Sequence, residues 1–225
     1  MTKNRFPVLH PWRISSQRAR AIQSELRERV VLKDNAGRIK RVAGVDVGFE
    51  DGNSTARAAV VVLRYPELTE LESAVARRKV NFPYIPGYLS FREIPSILSA
   101  LSKVRVLPDL ILCDGQGYAH PRRFGLACHL GVITSIPTIG VAKTRLLGIH
   151  QPVGLDKGDW KYLVHQTENI GVVLRSRSNI NPVYVSVGHK ISLSSAIRYT
   201  INCCTRYRLP ETTRAAHRLA SAPGR

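Results

Sequence analysis

Eight residues, Val42-Ala43-Gly44-Val45-Asp46-Val47-Gly48-Phe49, constrain this chain more than any other stretch. They read as a strand, yet a carboxylate sits in the middle of an otherwise apolar run. An unpaired carboxylate there is costly, so Asp46 needs a cation or hydrogen-bond donors beside it. Strand alternation puts Asp46 on one face with Val42, Gly44 and Gly48, and Ala43, Val45, Val47 and Phe49 on the other. Glycine on both sides is expected to leave space above the carboxylate for a metal or a substrate backbone. Such a strand belongs inside a sheet. A chain of 225 residues with 44% hydrophobic and 22% charged side chains can bury the core that this requires.

The elements around this strand predict an α/β fold. Residues 1–14 read as an irregular leader, and 15–225 as one domain. Ser15 or Ser16 caps a helix to about Leu32, with Ile22, Leu26 and Val30 on one face. Strand-like runs follow over 41–49, 56–65 and 68–80, with links short enough for an antiparallel meander. A helix over 89–104, a buried strand over 110–113, a helix over 124–133 and a buried strand over 138–142 come next. Further strands are expected near 170–175 and 182–187, and a helix near 193–207. Three antiparallel strands followed by parallel strands, flanked by helices, make a mixed sheet.

Charge narrows the partners. The chain carries 34 Lys and Arg against 16 Asp and Glu, a net of +18, and most of the excess lies at its two ends. Residues 1–41 and 175–225 each carry a net of +8, while the 133 residues between them carry +2. Basic ends on a near-neutral body point to a polyanion, above all nucleic acid. No apolar run approaches the ~18 residues that span a bilayer, and no long amphipathic basic helix favours a membrane surface. Four cysteines, Cys113, Cys128 and the adjacent Cys203 and Cys204, include no C-x-x-C pair and indicate neither a zinc knuckle nor a disulfide framework. A protein of the cytoplasm, acting as a monomer, is the expectation.

Acidic residues are scarce in the centre: from Ser73 to Leu155 there are only Glu93, Asp109 and Asp114. Asp114 ends the apolar strand 110–113. It is either a site residue or a turn residue before Gly115. Glu93 is either a site residue or the far half of a capping box with Ser90. Asp109 falls on the opposite strand face from Asp114 and reads as structural. Lys143 ends the next buried strand, where sites assemble in α/β sheets, though a surface lysine would look the same. Oxygen ligands from two strands, without a Cys or His metal motif, suit a hard cation such as Mg2+, with Mn2+ as a substitute. On a basic protein the chemistry implied is phosphodiester hydrolysis.

These segments resemble the endonuclease V family, the deoxyinosine 3′ endonucleases. The matching residues are Val42 to Phe49, Phe82-Pro83-Tyr84-Ile85-Pro86-Gly87 with Leu89-Ser90-Phe91-Arg92-Glu93, and Asp114-Gly115-Gln116-Gly117-Tyr118-Ala119-His120-Pro121-Arg122. Pro137 to Lys143, Gly188-His189, Arg208-Leu209-Pro210-Glu211 and Thr213-Arg214 continue the match. The resemblance implies an RNase H-like fold and a metal-dependent nuclease. This enzyme would cut the second phosphodiester bond 3′ to inosine, leaving 3′-hydroxyl and 5′-phosphate. Its substrate would be DNA containing deoxyinosine, or inosine RNA in the variant that family members also show. By position, Asp46 and Asp114 would hold the metal and Glu93 would support it. Lys143 would face the scissile phosphate, and His217 would join from a C-terminal helix. Pro83, Tyr84, Ile85 and Pro86 would form a strand-separating wedge. Gly115, Gln116, Gly117 and His120 would line the pocket for the flipped base. The remaining possibility, a non-catalytic nucleic-acid binder, explains the charge but not Asp46 among glycines.

Overall fold

A computed structural model describes residues 5–35 and 37–222. The first four residues of the expected leader and the last three of the expected domain lie outside the described residues. In chain order the elements are α1 (Ser16–Arg27), β1 (Arg41–Glu50), β2 (Thr55–Arg64), β3 (Glu70–Lys79), α2 (Leu89–Leu101), β4 (Leu110–Cys113), α3 (Leu126–Thr134), β5 (Thr138–Ala142), β6 (Trp160–His165), β7 (Glu168–Leu174), β8 (Val183–His189), α4 (Leu193–Cys203) and α5 (Glu211–Ser221).

All eight strands form one sheet in the order β3-β2-β1-β4-β5-β8-β7-β6. The meander β1–β3 is antiparallel, and β1, β4 and β5 run parallel, as the sequence predicts. The parallel set then stops. β8 pairs antiparallel with β5, and β7 and β6 continue antiparallel, so the far half corrects the expectation of parallel strands throughout. Strand alternation sorts the core into two layers. Ala43, Val45, Val60 and Ile111 pack with Ile94, Ile97 and Leu101 of α2 and Leu130 of α3. Val42, Val61, Leu112, Val141 and Val185 pack on the other face with Ala196 of α4 and Ala216 of α5.

Three helices end earlier than their apolar spacing suggests. α1 stops at Arg27 rather than Leu32, because Arg29 and Val30 turn back to the Leu26 and Arg27 carbonyls in tighter bonds. α2 stops at Leu101 and α4 at Cys203, where Cys204 turns extended. The Ser90–Glu93 capping box does not form. Tyr88 is the N-cap of α2, so Ser90 already lies inside the helix. Asp109 is structural, as expected. It accepts from the backbone N–H groups of Lys40 (3.0 Å) and Arg41 (2.9 Å) and from the Arg41 guanidinium (2.6 Å), fixing the start of β1. The described leader, 5–14, has no regular structure but is packed: Phe6 and His10 are buried, and Trp12 is partly so.

Candidate active site

The pairing of β1 with β4 ends at Val45↔Cys113. One step further along both parallel strands come Asp46 and Asp114, so the two carboxylates stand side by side in one row. Parallel strands are ~4.8 Å apart, and such neighbours repel unless something cationic lies between or beside them. Here each has its own partner. Lys143, just past β5, donates from Nζ to Asp114 Oδ2 at 2.5 Å. His217 of α5 brings Nδ1 to 2.7 Å from Asp46 Oδ2.

The glycines flanking Asp46 do something other than expected. A Cβ on Gly44 would lie 2.0 Å from the Thr212 carbonyl oxygen, and one on Gly48 would lie 2.8 Å from that of Ala220. The space they leave is filled by the backbone of α5, not kept for a metal or a substrate. The close approach is what carries His217 down to Asp46. Thr212 and Thr213 are buried in the seam. Beside it opens a hollow of about 210 Å3 lined by Asp114, Lys143, Leu209, Thr213, Arg214, His217 and Arg218. Drug-sized ligands need roughly 300 Å3 or more. This hollow, rich in cations, suits a phosphate group. A larger hollow of about 380 Å3, among Arg41, Val62, Leu71, Glu72, Arg105 and Val106, lies at the other end of β1 and gathers no such chemistry.

Glu93, from the first turns of α2, faces both aspartates. Burial, then the charges of Asp46 and Asp114, push its carboxyl up to about 8, and no hydrogen bond offsets them. Glu93 thus lies close enough to feel the charge of both aspartates. Among the described residues, however, no three acidic, His or Cys side chains stand close enough to grip one ion as they lie. Lys143 and His217 hold the two aspartates in this arrangement. The donor set still fits a hard cation: oxygen atoms only, at the end of a parallel strand pair, with a third carboxyl raised by its neighbours' charge.

The expected wedge splits in two. Tyr84 is 70% exposed and Pro83 and Pro86 are exposed, so Tyr84 does not pack onto α2. Ile85 is half-buried against Ala19, Ile22, Phe82 and Phe91. The loop is pinned at Gly87, whose φ of 81° favours glycine. Its carbonyl accepts from Gln23 Nε2 (3.0 Å), His120 Nε2 (3.0 Å) and an Arg122 nitrogen (2.7 Å). Both His120 ring nitrogens are occupied, since Nδ1 accepts from the Arg122 backbone. His120 thus clamps the wedge loop from inside the protein instead of lining a free pocket. Gly117 passes close over β8, donating to Ser186 Oγ at 2.9 Å, and a Cβ there would meet the Val187 carbonyl at 2.2 Å. Gln116 donates to the Thr144 carbonyl at 3.1 Å, while its buried Oε1 has no partner.

Several supporting residues escaped the sequence reading. Gln23 and Arg122 hold Gly87. Arg92 lies over the Phe49 ring at 4.3 Å and donates to the Phe82 and Asn53 carbonyls, tying the wedge loop to the β1–β2 turn. Arg92 and Arg122 stand within the matched segments, but nothing in a sequence shows that an arginine points inward. Arg208, one of the C-terminal cations, is likewise committed, donating to the Lys143 and Pro182 carbonyls at 2.7 Å.

Comparison with known proteins agrees with this geometry. A family model described as Endonuclease V matches residues 24–218. The Endonuclease V of Trichormus variabilis is 55% identical over 213 residues, covering 94% of this chain and 96% of that protein. The crystal structure of Endonuclease V from Streptomyces avermitilis superposes with a TM-score of 0.89 at 45% identity, over 93% of this chain and 92% of that one. Ciona intestinalis Endonuclease V, in complex with a 23mer DNA containing an inosine followed by a ribo-adenosine, superposes with a TM-score of 0.82 at 29% identity. That alignment covers 92% of this chain and 97% of the other. With the acid row, the cation-lined hollow and the clamped loop in their places, the chain belongs to the endonuclease V family of nucleases.

Proposed function

We propose that this protein is a Mg2+-dependent endonuclease that recognises deoxyinosine, the product of adenine deamination, in DNA, and serves DNA repair. It hydrolyses the second phosphodiester bond 3′ to the lesion, leaving 3′-hydroxyl and 5′-phosphate. The observation that carries this reading is the row of Asp46 and Asp114 with Glu93 facing them, beside a phosphate-sized hollow lined by cations. Asp46 and Asp114 hold the metal, with Glu93 as the third carboxyl. A divalent cation held there would supply Lewis-acid polarisation of the phosphate and would activate water for attack at neutral pH.

The chain's own groups do the rest. Lys143 leaves Asp114 and neutralises a non-bridging phosphate oxygen. His217, released from Asp46, is placed to give a proton to the leaving oxygen. Tyr84, between Pro83 and Pro86, enters the helix at the lesion while Ile85 stays anchored. A deaminated base pairs weakly, which lowers the cost of extruding it. Gly115, Gln116 and Gly117 shape the floor that receives it. His120 holds the loop rather than the base.

A second substrate has its own support. The Ciona relative was crystallised with a ribonucleotide directly after the inosine, so inosine RNA is the alternative for this chain. The deciding experiment is cleavage of matched deoxyinosine DNA, inosine RNA and unmodified controls, with and without Mg2+. Cutting one bond beyond inosine only with Mg2+ is the expected outcome. Binding without cleavage of any inosine strand would leave a nucleic-acid-binding protein instead.

A further inference from the structure

The leader forms a strap along α2. At one end, Arg5 donates to the carbonyls of Val104 and Arg105, just past the C-terminus of the helix. Phe6 then enters the core beside Ile94, Ile97 and Leu101. At the other end, His10 Nε2 lies 2.8 Å from His129 Nε2, and His129 Nδ1 lies 3.0 Å from Ser90 Oγ in the first turn of α2. Both rings are buried among Trp12, Phe91 and Phe124.

Chemistry fixes the direction of every proton in this chain. His10 Nδ1 faces the Pro11 carbonyl at 2.8 Å, and a carbonyl only accepts, so Nδ1 carries the proton. Burial keeps the two rings neutral. His10 Nε2 is then a bare acceptor, and His129 Nε2 must donate to it. His129 Nδ1 is then bare, and the Ser90 hydroxyl donates to it. No polar atom in the chain is left over. Removing the first link leaves a buried N–H without an acceptor, which the site can relieve only by moving.

His129 belongs to α3, and Ser90, the last link, stands on α2, the helix that carries Glu93. Ser90 and Glu93 are three residues apart, hence neighbours on one side of α2. The wedge loop enters the same turn. We propose that His10 is a positioning residue which, through His129 and Ser90, sets the seat of α2 and so the placement of Glu93 against Asp46 and Asp114. This rests on the reading of Glu93 as part of the nuclease site.

His10→Leu and His10→Gln separate positioning from packing, because a Gln Oε1 can stand where Nε2 stood and a Leu cannot accept. Ser90→Ala cuts the chain at its other end. In His10→Leu, kcat on deoxyinosine DNA is expected to fall about tenfold with KM within about twofold, since small misplacements at a site cost rates of this order. The half-saturating Mg2+ concentration rises in parallel. His10→Gln recovers most of both, and Ser90→Ala loses about threefold in kcat. Trp12, in edge contact with His10 at 4.5 Å between ring centres, reports the change independently by its fluorescence in metal-free protein. Equal losses in the Leu and Gln variants, tracking melting temperature, would reduce the strap to packing. Wild-type kcat in His10→Leu or, should that variant not fold, in Ser90→Ala would overturn the proposal. A wild-type enzyme that fails to cut inosine strands instead removes the function assigned above, a different result from either.

Discussion

Asp114 and Tyr84 show two ways of holding a candidate site residue. Asp114 follows a strand whose four residues are all buried, stands in register with Asp46, and is held by Lys143. Tyr84 projects into solvent from a loop whose rigidity lies behind it, in the three donors that meet the Gly87 carbonyl. The first depends on charges placed by the sheet. The second depends on a clamp that leaves the acting side chain free. Changes at the row should therefore abolish chemistry without touching recognition, and changes at the loop should do nearly the reverse.

The largest expected effect is at the row. Asp114→Asn keeps the shape but removes half of the paired charge, and cleavage should fall by about 10^3 or more. Affinity for inosine DNA should survive, because cations elsewhere supply it. Single-turnover rates beside a binding titration check both; substantial turnover would strike Asp114 from the metal set. At the loop, Tyr84→Ala should cost about tenfold to a hundredfold on duplex substrate, the equivalent of the few kcal/mol that unstacking a step requires. The loss on single strands should be smaller. Since Tyr84 is exposed, the melting temperature should not move, and a drop would show packing that the geometry does not contain.

The smallest effect sharpens the comparison by pH. Glu93 is raised from 4.5 to about 8, so the folded, metal-free protein keeps a proton that the unfolded chain releases. Between pH ~4.5 and ~8 the unfolded state binds fewer protons, so stability falls as pH rises. Metal must displace that proton. Apparent Mg2+ affinity should climb up to about tenfold per pH unit until near 8, then level off. Glu93→Gln should flatten both trends, as differential scanning fluorimetry across pH would read. A Mg2+ affinity indifferent to pH would mean that Glu93 stands aside from the ion.

β1, β4 and β5 were legible because they are apolar runs between clear breaks, a pattern that buried parallel strands share, and β2 and β3 because the breaks at 51–53 and Pro66 set them off. β6 was not. Trp160-Lys161-Tyr162 lies on the sheet edge, with its aromatic side chains partly in water, and offers no apolar run. The acids were legible because carboxylates are rare and expensive inside sheets. What the glycines beside Asp46 admit was not, since a missing side chain announces room and says nothing about the occupant. The position of α5 came from family likeness alone. Its own residues, Glu211-Thr212-Thr213-Arg214, give a modest helix signal, and the seam that seats it is written in β1, some 160 residues earlier. The role of the leader was invisible for a similar reason: His10 gains its meaning from His129.

That seam also sets an order of events during synthesis. The strands that carry Asp46 and Asp114 leave the ribosome long before α5 does, and local sheet and helix contacts can form meanwhile. Until α5 docks on Gly44 and Gly48, Asp114 has Lys143 beside it, but Asp46 lacks its partner and the groove over the glycines stays open. His217, Arg214 and Arg218, three of the groups lining the hollow, arrive together with the helix. A chain stalled before residue 211 therefore holds Asp46 without the imidazole that meets it. The arrangement around Asp46 is completed in one late step, when a single helix settles on two glycines.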